Sequence, residues 1–402
     1  PRLSPPTRLS EVRLRAYYHA LREINNYWYG AKPHHVNTPF IRSVLTRLTP
    51  FVNSALWNKL PWDESLSLHY LHNKRKLHEW KSGMTPNCSS LQLLLNFVGN
   101  HQALDGTGQE QVAYSLNKAC QGIPFTEDEI RIGNLTRSTI VSLLDDSWQP
   151  SPDSQYLKVQ RAVSATPDSL AMETKPTTKP RWVDVVFSGA ALSKLKAKAY
   201  QEISSGFVST DDALTALIWQ SVSRARLARL PASKESTMGR AINPRRYLGI
   251  PATYPGYISN MAYTTATLDQ LATRNLGAIA ADLRAAVDPE TSGLERTTRE
   301  FATLLYRAQD KDSVSANDSL NLGSDVMLSS WANMRCYDFD FGMQLGAPVA
   351  FRRTLMDPVP SLMFLLPKRK DGEIVVTMCA LEEDLKRLKQ DKKITHYGQF
   401  LE

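Results

Sequence analysis

His101 stands at the end of an apolar run, "LLLNFVGNHQALDGTGQ" (Leu93 to Gln109), with Asp105 four residues on and Gly106 and Gly108 close behind. A neutral imidazole can take a proton near pH 7, which suits a general base. Held where a rigid strand ends, it is better positioned than on a mobile loop. Asp105 could orient the ring, or could pair elsewhere and shape the turn. The glycines permit a tight turn and close backbone approach, and a helix starting there offers its N-terminus to a negative group. The same residues also fit a core histidine satisfied at a strand end. H-x-x-x-D by itself is common and does not choose between the two.

A second group lies far downstream in "MLSSWANMRCYDFDFGMQLG", where Ser329 and Trp331 precede the triplet Asp340, Phe341 and Gly342. In a kinase D-F-G needs H-R-D upstream, which is missing here. Other chemistries find less. There is no G-x-S-x-G elbow for a nucleophilic serine. Cys88, Cys120, Cys336 and Cys379 lie far apart without a C-x-x-C spacing, so they read as reduced, mostly buried thiols in the cytosol rather than as metal ligands. H-E-x-x-H is absent. His34 and His35 have no carboxylate near them in sequence, and His69 and His72 lie in a stretch without readable pattern. No metal is expected, and the Walker and dinucleotide glycine fingerprints are missing.

These residues need elements to position them. "LQLLLNFVGN" reads as a strand buried on both faces. After it, Val112, Leu116 and Ala119 keep a helical spacing that closes at Gly122. "FTEDEIRIGN" predicts a short helix capped by Thr126. Residues 151–180, rich in Pro, Ser and Thr, form a candidate linker or crossover. Beyond it strands and helices interleave. "RWVDVVFSG" alternates as a strand and "GAALSKLKAKAYQEI" as an amphipathic helix. "STDDALTALIWQSVSRARLARL" opens with Ser209 and Asp212 in a capping-box-like arrangement and carries an apolar stripe of Leu214, Leu217, Ile218, Val222 and Ala225. "GYISNMAYTTAT" predicts a strand, followed by one long helix through "DQLATRNLGAIAADLRAAVD". "LERTTREFATLLYRAQD" predicts another helix. "DVMLSSW", "SLMFLLPK" and "GEIVVTMCAL" read as strands, and "LEEDLKRLKQDKK" as one last long helix. The class is α/β or mixed α+β.

Residues 1–85 look unlike the rest. They hold six of the eight His and four of the eight Trp, without a clean apolar period; "LSEVRLRAYYHALREIN" could form a helix capped by Ser10. Before Thr85 there are 13 Lys and Arg against 5 Asp and Glu, which accounts for the whole net charge of +8. The remainder is near neutral, and with no zinc-finger, homeodomain or RNP pattern a nucleic-acid role is not expected. No apolar span reaches the roughly 18 residues of a transmembrane helix, and no signal peptide is read.

The two distant groups together resemble the BAHD acyltransferases, which carry H-x-x-x-D-G centrally and D-F-G-W-G near the C-terminus. The likeness is greatest to the fungal branch that acetylates trichothecene-like alcohols. It is carried, in the family's order, by "NHQALDGTGQ", "PFTEDEI", "FVSTDDALTALIWQSVSRARLARL", "YPGYISNM", "VMLSSW", "YDFDFG", "SLMFLLPKRKDGE" and "EEDLKRLKQDKK", from about Leu91 to the C-terminus. The resemblance implies a two-lobed fold related to chloramphenicol acetyltransferase, with the N-terminal lobe in residues 86–150 and the C-terminal lobe, including D-F-G, in 181–402. A channel would run between the lobes with the catalytic His at its centre. It implies acetyl-CoA or another acyl-CoA as donor, a small-molecule alcohol as acceptor, no metal, no nucleic acid or membrane partner, and a monomeric cytoplasmic enzyme.

The resemblance also implies roles. His101 would be the general base of a direct transfer without acyl-enzyme, and Trp331 the oxyanion donor. Ser329 would lie near the acyl thioester, and Asn260 would shape the cofactor channel. Asp105 would pair with Arg245, while Gly106, Asp340 and Gly342 would be structural. Two features depart from the family. Met343 and Gln344 stand where D-F-G-W-G has Trp and Gly, and residues 1–85 do not resemble the family's first strands and helices. An N-terminal lobe lacking several strands is therefore expected, with an exposed edge beside His101. The competing reading is a degenerate member that binds CoA or small molecules without turnover. A peptide-condensing domain would carry H-H-x-x-x-D-G, and here Asn100 takes the first His position.

Overall fold

The computed structural model describes residues 66–70, 95–99, 101, 103–151, 156, 179–317, 319–341, 346–353 and 356–401. Most of residues 1–85, with the helix expected after Ser10, and most of the 151–180 linker lie outside them, as does Gly342. The chain forms two compact units. The first holds residues 1–140, 250–258 and 335–350, and the second 141–249, 259–334 and 351–402. Asp340 and Phe341 thus fall in the same unit as His101 and Asp105.

In the first unit, β1 (Leu66–Tyr70) pairs antiparallel with β2 (Leu95–Gly99), Leu66 opposite Gly99. Helix α1 (Gly106–Cys120) follows and ends before Gly122, whose φ of +69° supplies the left-handed turn. Its buried residues include Val112, Ala113 and Leu116. Helix α2 (Glu127–Gly133) begins with a full capping box: Thr126 Oγ1 accepts from the Glu129 amide, and the Glu129 carboxylate accepts from the Thr126 amide. Glu129 also takes the Lys118 ammonium and the Tyr114 hydroxyl, which docks α2 on α1.

The second unit is built on one seven-stranded mixed sheet. Its strands are β3 (Pro180–Phe187), β4 (Glu235–Ile242), β5 (Asn260–Thr267), β6 (Val326–Ser330), β7 (Leu362–Leu365), β8 (Ile374–Leu381) and β9 (Gly398–Phe400), in the order β5-β4-β6-β7-β8-β3-β9. Only β4–β6 and β6–β7 are parallel. Side chains alternate between the faces. Val185, Phe187, Met238, Val326, Leu328, Met363, Leu365, Val376 and Met378 enter the main core with the helices, while Trp182, Val186, Met327, Leu362, Phe364 and Val375 form a second apolar cluster.

The main core is centred on α4 (Thr210–Arg226), packed by α3 (Gly189–Gln201) and several shorter helices. The capping box at Ser209 and Asp212 forms as the sequence suggests. The helix is buried nearly all round rather than along one stripe, and fully buried Trp219 donates its indole N–H to Ser236 Oγ at 3.0 Å. Asp212 also takes Arg240 at 3.0 Å and Arg284. Burial pushes its carboxyl up, but Ser209 and the two guanidinium groups outweigh this and hold it below the usual carboxylate range.

Two expected long helices are each broken in two. The first becomes α5 (Leu268–Thr273) and α6 (Leu276–Ala285), because Arg274 and Asn275 are extended. The break seats Gly277 where a Cβ would lie 2.3 Å from Ala199 O, and the Gly277 amide donates to Glu202 at 2.9 Å. After α7 (Leu294–Arg307), the C-terminal helix becomes α8 (Glu382–Leu388) and α9 (Lys392–Tyr397). Here Asp391 caps the new helix through the amides of Lys393 and Ile394 and receives Arg224 Nε at 2.7 Å.

Candidate active site

Asp105 explains how the first motif is built. One carboxylate oxygen accepts from the Gly108 amide at 2.7 Å, the N-cap bond of α1. The other accepts from the Ile258 amide at 2.7 Å and so ties down the distant segment 250–258. The Tyr257 amide adds a bond to Ala103 O at 3.0 Å. Gly108 has no room for a side chain, since a Cβ would lie 2.1 Å from Pro255 O. Gly106 is the first residue of α1. His101 sits between β2 and α1 with its ring exposed, edge-on to Tyr257 at 5.8 Å between centroids. No hydrogen bond or ion pair holds its imidazole among the described residues, so it is not the satisfied core histidine that the sequence also allowed.

The same helix organises the D-F-G segment. Glu110, Tyr114 and Asn117 fall at i, i+4 and i+7, one face of α1, and Gln121 continues the spacing just past its end. Glu110 takes Arg335 Nε at 3.0 Å, and the Tyr114 ring meets Phe339 at 6.2 Å. Asn117 Oδ1 accepts from the Phe341 amide at 2.8 Å, and Gln121 Nε2 donates to Asp340 at 3.0 Å. Phe341 has φ of +55°, left-handed for a non-glycine residue, and the Asn117 bond helps to hold that strained turn. Motifs more than two hundred residues apart thus meet in one unit through α1.

Ser329 and Trp331 belong to the second unit, at the end of β6. The pleat puts Ser329 on the face of Met327 and Phe364, and Ser330 on the opposite face, where its hydroxyl donates to Asp211 in the first turn of α4. The Trp331 ring lies between Phe351 and Phe364, with centroids at 5.9 and 5.2 Å, and its amide donates to Leu365 O at 2.8 Å. Its indole N–H donates to Ser329 Oγ at 3.1 Å.

Arg245 and Asn260 are deeply buried, each about 1% exposed. Arg245 lies in the turn Pro244–Arg246 and donates to Asn243 Oδ1 at 2.9 Å. The Asn260 amide donates to Thr298 Oγ1 at 3.1 Å and to the Tyr156 hydroxyl at 3.3 Å, and its Oδ1 accepts from the Met261 amide at 2.8 Å. It therefore pins residue 156 to the start of β5. Burial pushes the thiols of Cys120 and Cys379 up to about 11 and that of Cys336 up to about 12, so none is a thiolate nucleophile near neutrality. Among the described residues no cluster of three metal-ligating side chains occurs, and no helix is long and apolar enough to cross a membrane.

The fold and motifs define an acyltransferase class, and comparison places the chain within it. Residues 99–395 match the Transferase family, and the chain belongs to it, among the BAHD-type acyltransferases. It is 43% identical over 312 residues to the O-acetyltransferase dmxR13 of Cryptosporiopsis sp., covering 77% of this chain and 67% of that one. It is 39% identical over 308 residues to trichothecene 3-O-acetyltransferase of Saccharomyces cerevisiae, covering 76% and 65%. The match thus spans about two thirds of these relatives' lengths. The crystal structure of TRI101 of F. graminearum complexed with coenzyme A and T-2 mycotoxin aligns with a TM-score of 0.76 at 29% identity, covering 99% of this chain and 94% of that one. A second, complexed with coenzyme A and deoxynivalenol, gives 0.76 at 30%, with the same coverage. The expected BAHD-type α/β fold is therefore the one observed.

Proposed function

We propose that the protein is an acyl-CoA-dependent O-acyltransferase, using acetyl-CoA, that acts on a hydroxyl of a trichothecene-like secondary metabolite. The observation that carries this reading is His101: an exposed imidazole set between β2 and α1, beside an aspartate whose two oxygens are engaged by backbone amides. Family membership and relatives named O-acetyltransferases support it, as do the neighbour's complexes with coenzyme A and an alcohol-bearing toxin.

In this reading His101 removes the proton of the acceptor hydroxyl as its oxygen attacks the thioester carbonyl. A C–O bond forms, and the carbonyl π pair moves onto oxygen. The tetrahedral intermediate collapses with cleavage of the C–S bond, and the CoA thiolate takes the proton from the imidazolium. Base catalysis of this kind contributes roughly 10²–10⁴-fold. Trp331, just past the end of β6, is the oxyanion donor, and Ser329 lies near the acyl thioester. Asp105, Gly106, Arg245, Asp340 and Gly342 keep the architecture, and Asn260 shapes the donor channel from its place at the head of β5. The same reading makes the protein a monomer that works in the cytosol.

Incubation with acetyl-CoA and a panel of sesquiterpenoid and polyketide alcohols, read by mass spectrometry with thiol release in parallel, tests it. The expected result is a mass gain of one acetyl group on an alcohol with stoichiometric free CoA. Stabilisation by acetyl-CoA against thermal unfolding without any acetylated product would replace this reading with that of a binding-only member.

A further inference from the structure

On the sheet face of the second apolar cluster, Ser329 lies beside Phe364, Phe364 beside Thr377 and Thr377 beside Asp184, one residue from each of four neighbouring strands. The Arg353 guanidinium lies over this row. Its Cζ is 4.0 Å from the centre of the Phe364 ring and 6.0 Å from that of Trp182. Trp182 also holds the segment there, its indole N–H donating to Met356 O at 3.1 Å. Aromatic faces attract a cation, but a guanidinium has five N–H groups to satisfy. One donates to Met356 Sδ, a weak acceptor, and none to an oxygen among the described residues. Other half-buried arginines of the same unit are matched by acids: Arg224 by Asp391, Arg229 by Asp384 and Arg284 by Asp212. Arg353 is half-buried as well. Yet Asp357 is exposed and unpaired with it, and Asp184 takes the Thr377 hydroxyl at 2.6 Å instead. Burial pushes the Arg353 guanidinium down from its ordinary value with no carboxylate to counter it. A partly desolvated cation without an anion is costly, and a ligand anion would relieve that cost.

A guanidinium is matched best by a carboxylate or a phosphate, which can take two parallel N–H groups. Position selects between them. In the acyl-transfer reading Ser329 lies near the thioester, and Phe364, which pairs with Ser329 in register, is the ring that Arg353 covers. The pantetheine arm keeps the phosphates of CoA far from its thioester. Charge that meets Arg353 is therefore carried by the acceptor or by the acyl group. We propose that Arg353 is a specificity-determining residue that binds a carboxylate of the substrate. The substrate class is an alcohol that bears a carboxylate, or an acyl-CoA whose acyl group ends in one. The inference rests on the acyl-transfer reading above and narrows its substrate.

The test uses the full chain and matched substrates. One arm offers acetyl-CoA with hydroxy acids and with their methyl esters. The other offers a neutral alcohol with malonyl-CoA and with acetyl-CoA. Wild type is expected to favour the charged member of one pair by roughly 10–100-fold in kcat/KM, the worth of a hydrogen bond to a charged group, and mainly through KM. The arm that shows the preference identifies which substrate carries the carboxylate. In Arg353→Met the ratio within the pair should fall toward one. Arg353→Lys keeps the charge but loses the planar fork, and should retain part of the ratio. Because each ratio is taken within one protein, any loss of folded enzyme in a variant cancels from it. No preference for the charged member in wild type, or a preference that survives Arg353→Met, would overturn the inference while leaving acyl transfer intact. A wild type that transfers no acyl group in either arm would refute acyl transfer and this inference together.

Discussion

Replacing Asp105 with Asn and with Ala should separate its two tasks. Both carboxylate oxygens accept backbone amides at 2.7 Å, one from Gly108 and one from Ile258, and the side chain is 5% exposed. Asparagine caps a helix about as well as aspartate, so Asp105→Asn keeps the bond to Gly108. It then turns an amide NH₂ toward the Ile258 N–H, and a buried donor left unpaired costs about 1–3 kcal/mol. Asp105→Ala loses the cap as well, a further ~0.5–2 kcal/mol, so its total is about 1.5–5 kcal/mol. Urea unfolding gives the totals, and amide hydrogen exchange resolved by peptide assigns them. Segment 250–258 should lose protection in both variants, and the first turn of α1 only in Asp105→Ala. Protection at 250–258 retained in Asp105→Asn, with stability within about 0.5 kcal/mol of wild type, would refute the tether.

Gly108→Ala should destabilise the first unit by about 1–3 kcal/mol, because the new Cβ would meet Pro255 O at 2.1 Å; an unchanged unfolding midpoint would contradict that contact. Asp212 is held below its ordinary range in the folded state, so it contributes stability above the unfolded value, near pH 4, that is lost as pH falls through the folded value. Asp212→Asn should flatten that acid limb in a stability–pH profile and cost about 3–5 kcal/mol at neutral pH through the two arginines left behind. With their thiols raised to about 11–12, Cys120, Cys336 and Cys379 should resist N-ethylmaleimide at pH 7.5, as mapped by mass spectrometry; rapid labelling of Cys336 would count against its burial.

Local chemistry was the most legible part of the chain. The capping residues Thr126 and Ser209, the Gly122 stop of α1 and the strand periods of β3, β5, β6 and β8 all act through neighbours in sequence, and all are where the pattern put them. What the pattern missed depends on distant partners. In β4, the strand that joins β5 to β6, Gly239 and Arg240 interrupt the apolar pattern but not the ladder, and buried Arg240 is paired with Asp212. The two long helices were overread because apolar periodicity continues through Arg274–Asn275 and through Asp391, whereas the breaks are set by packing at Gly277 and by the Asp391 cap.

The candidate site was legible in residue types and not in their bonding. The resemblance assigned His101 to chemistry and Asp105 to architecture, but the tether from Asp105 to the Ile258 amide depends on a segment about 150 residues away and was not readable. One signal was present and overlooked. Glu110, Tyr114 and Asn117 share one face of α1, which Gln121 continues just past the helix end, and these residues receive Arg335, Phe339, Phe341 and Asp340. Ser330 and Asp211 likewise acquire meaning only from the pleat of β6 and the start of α4.

The central claim is that His101 supplies the base. The direct measurement is the rate of acetyl transfer from acetyl-CoA by wild type and His101→Ala, each checked by thermal unfolding. Because the imidazole is exposed and unbonded among the described residues, the substitution should leave the midpoint unchanged. Turnover should fall by roughly 10²–10⁴-fold. A His101→Ala protein that folds normally and transfers acetyl groups at the wild-type rate would contradict the account.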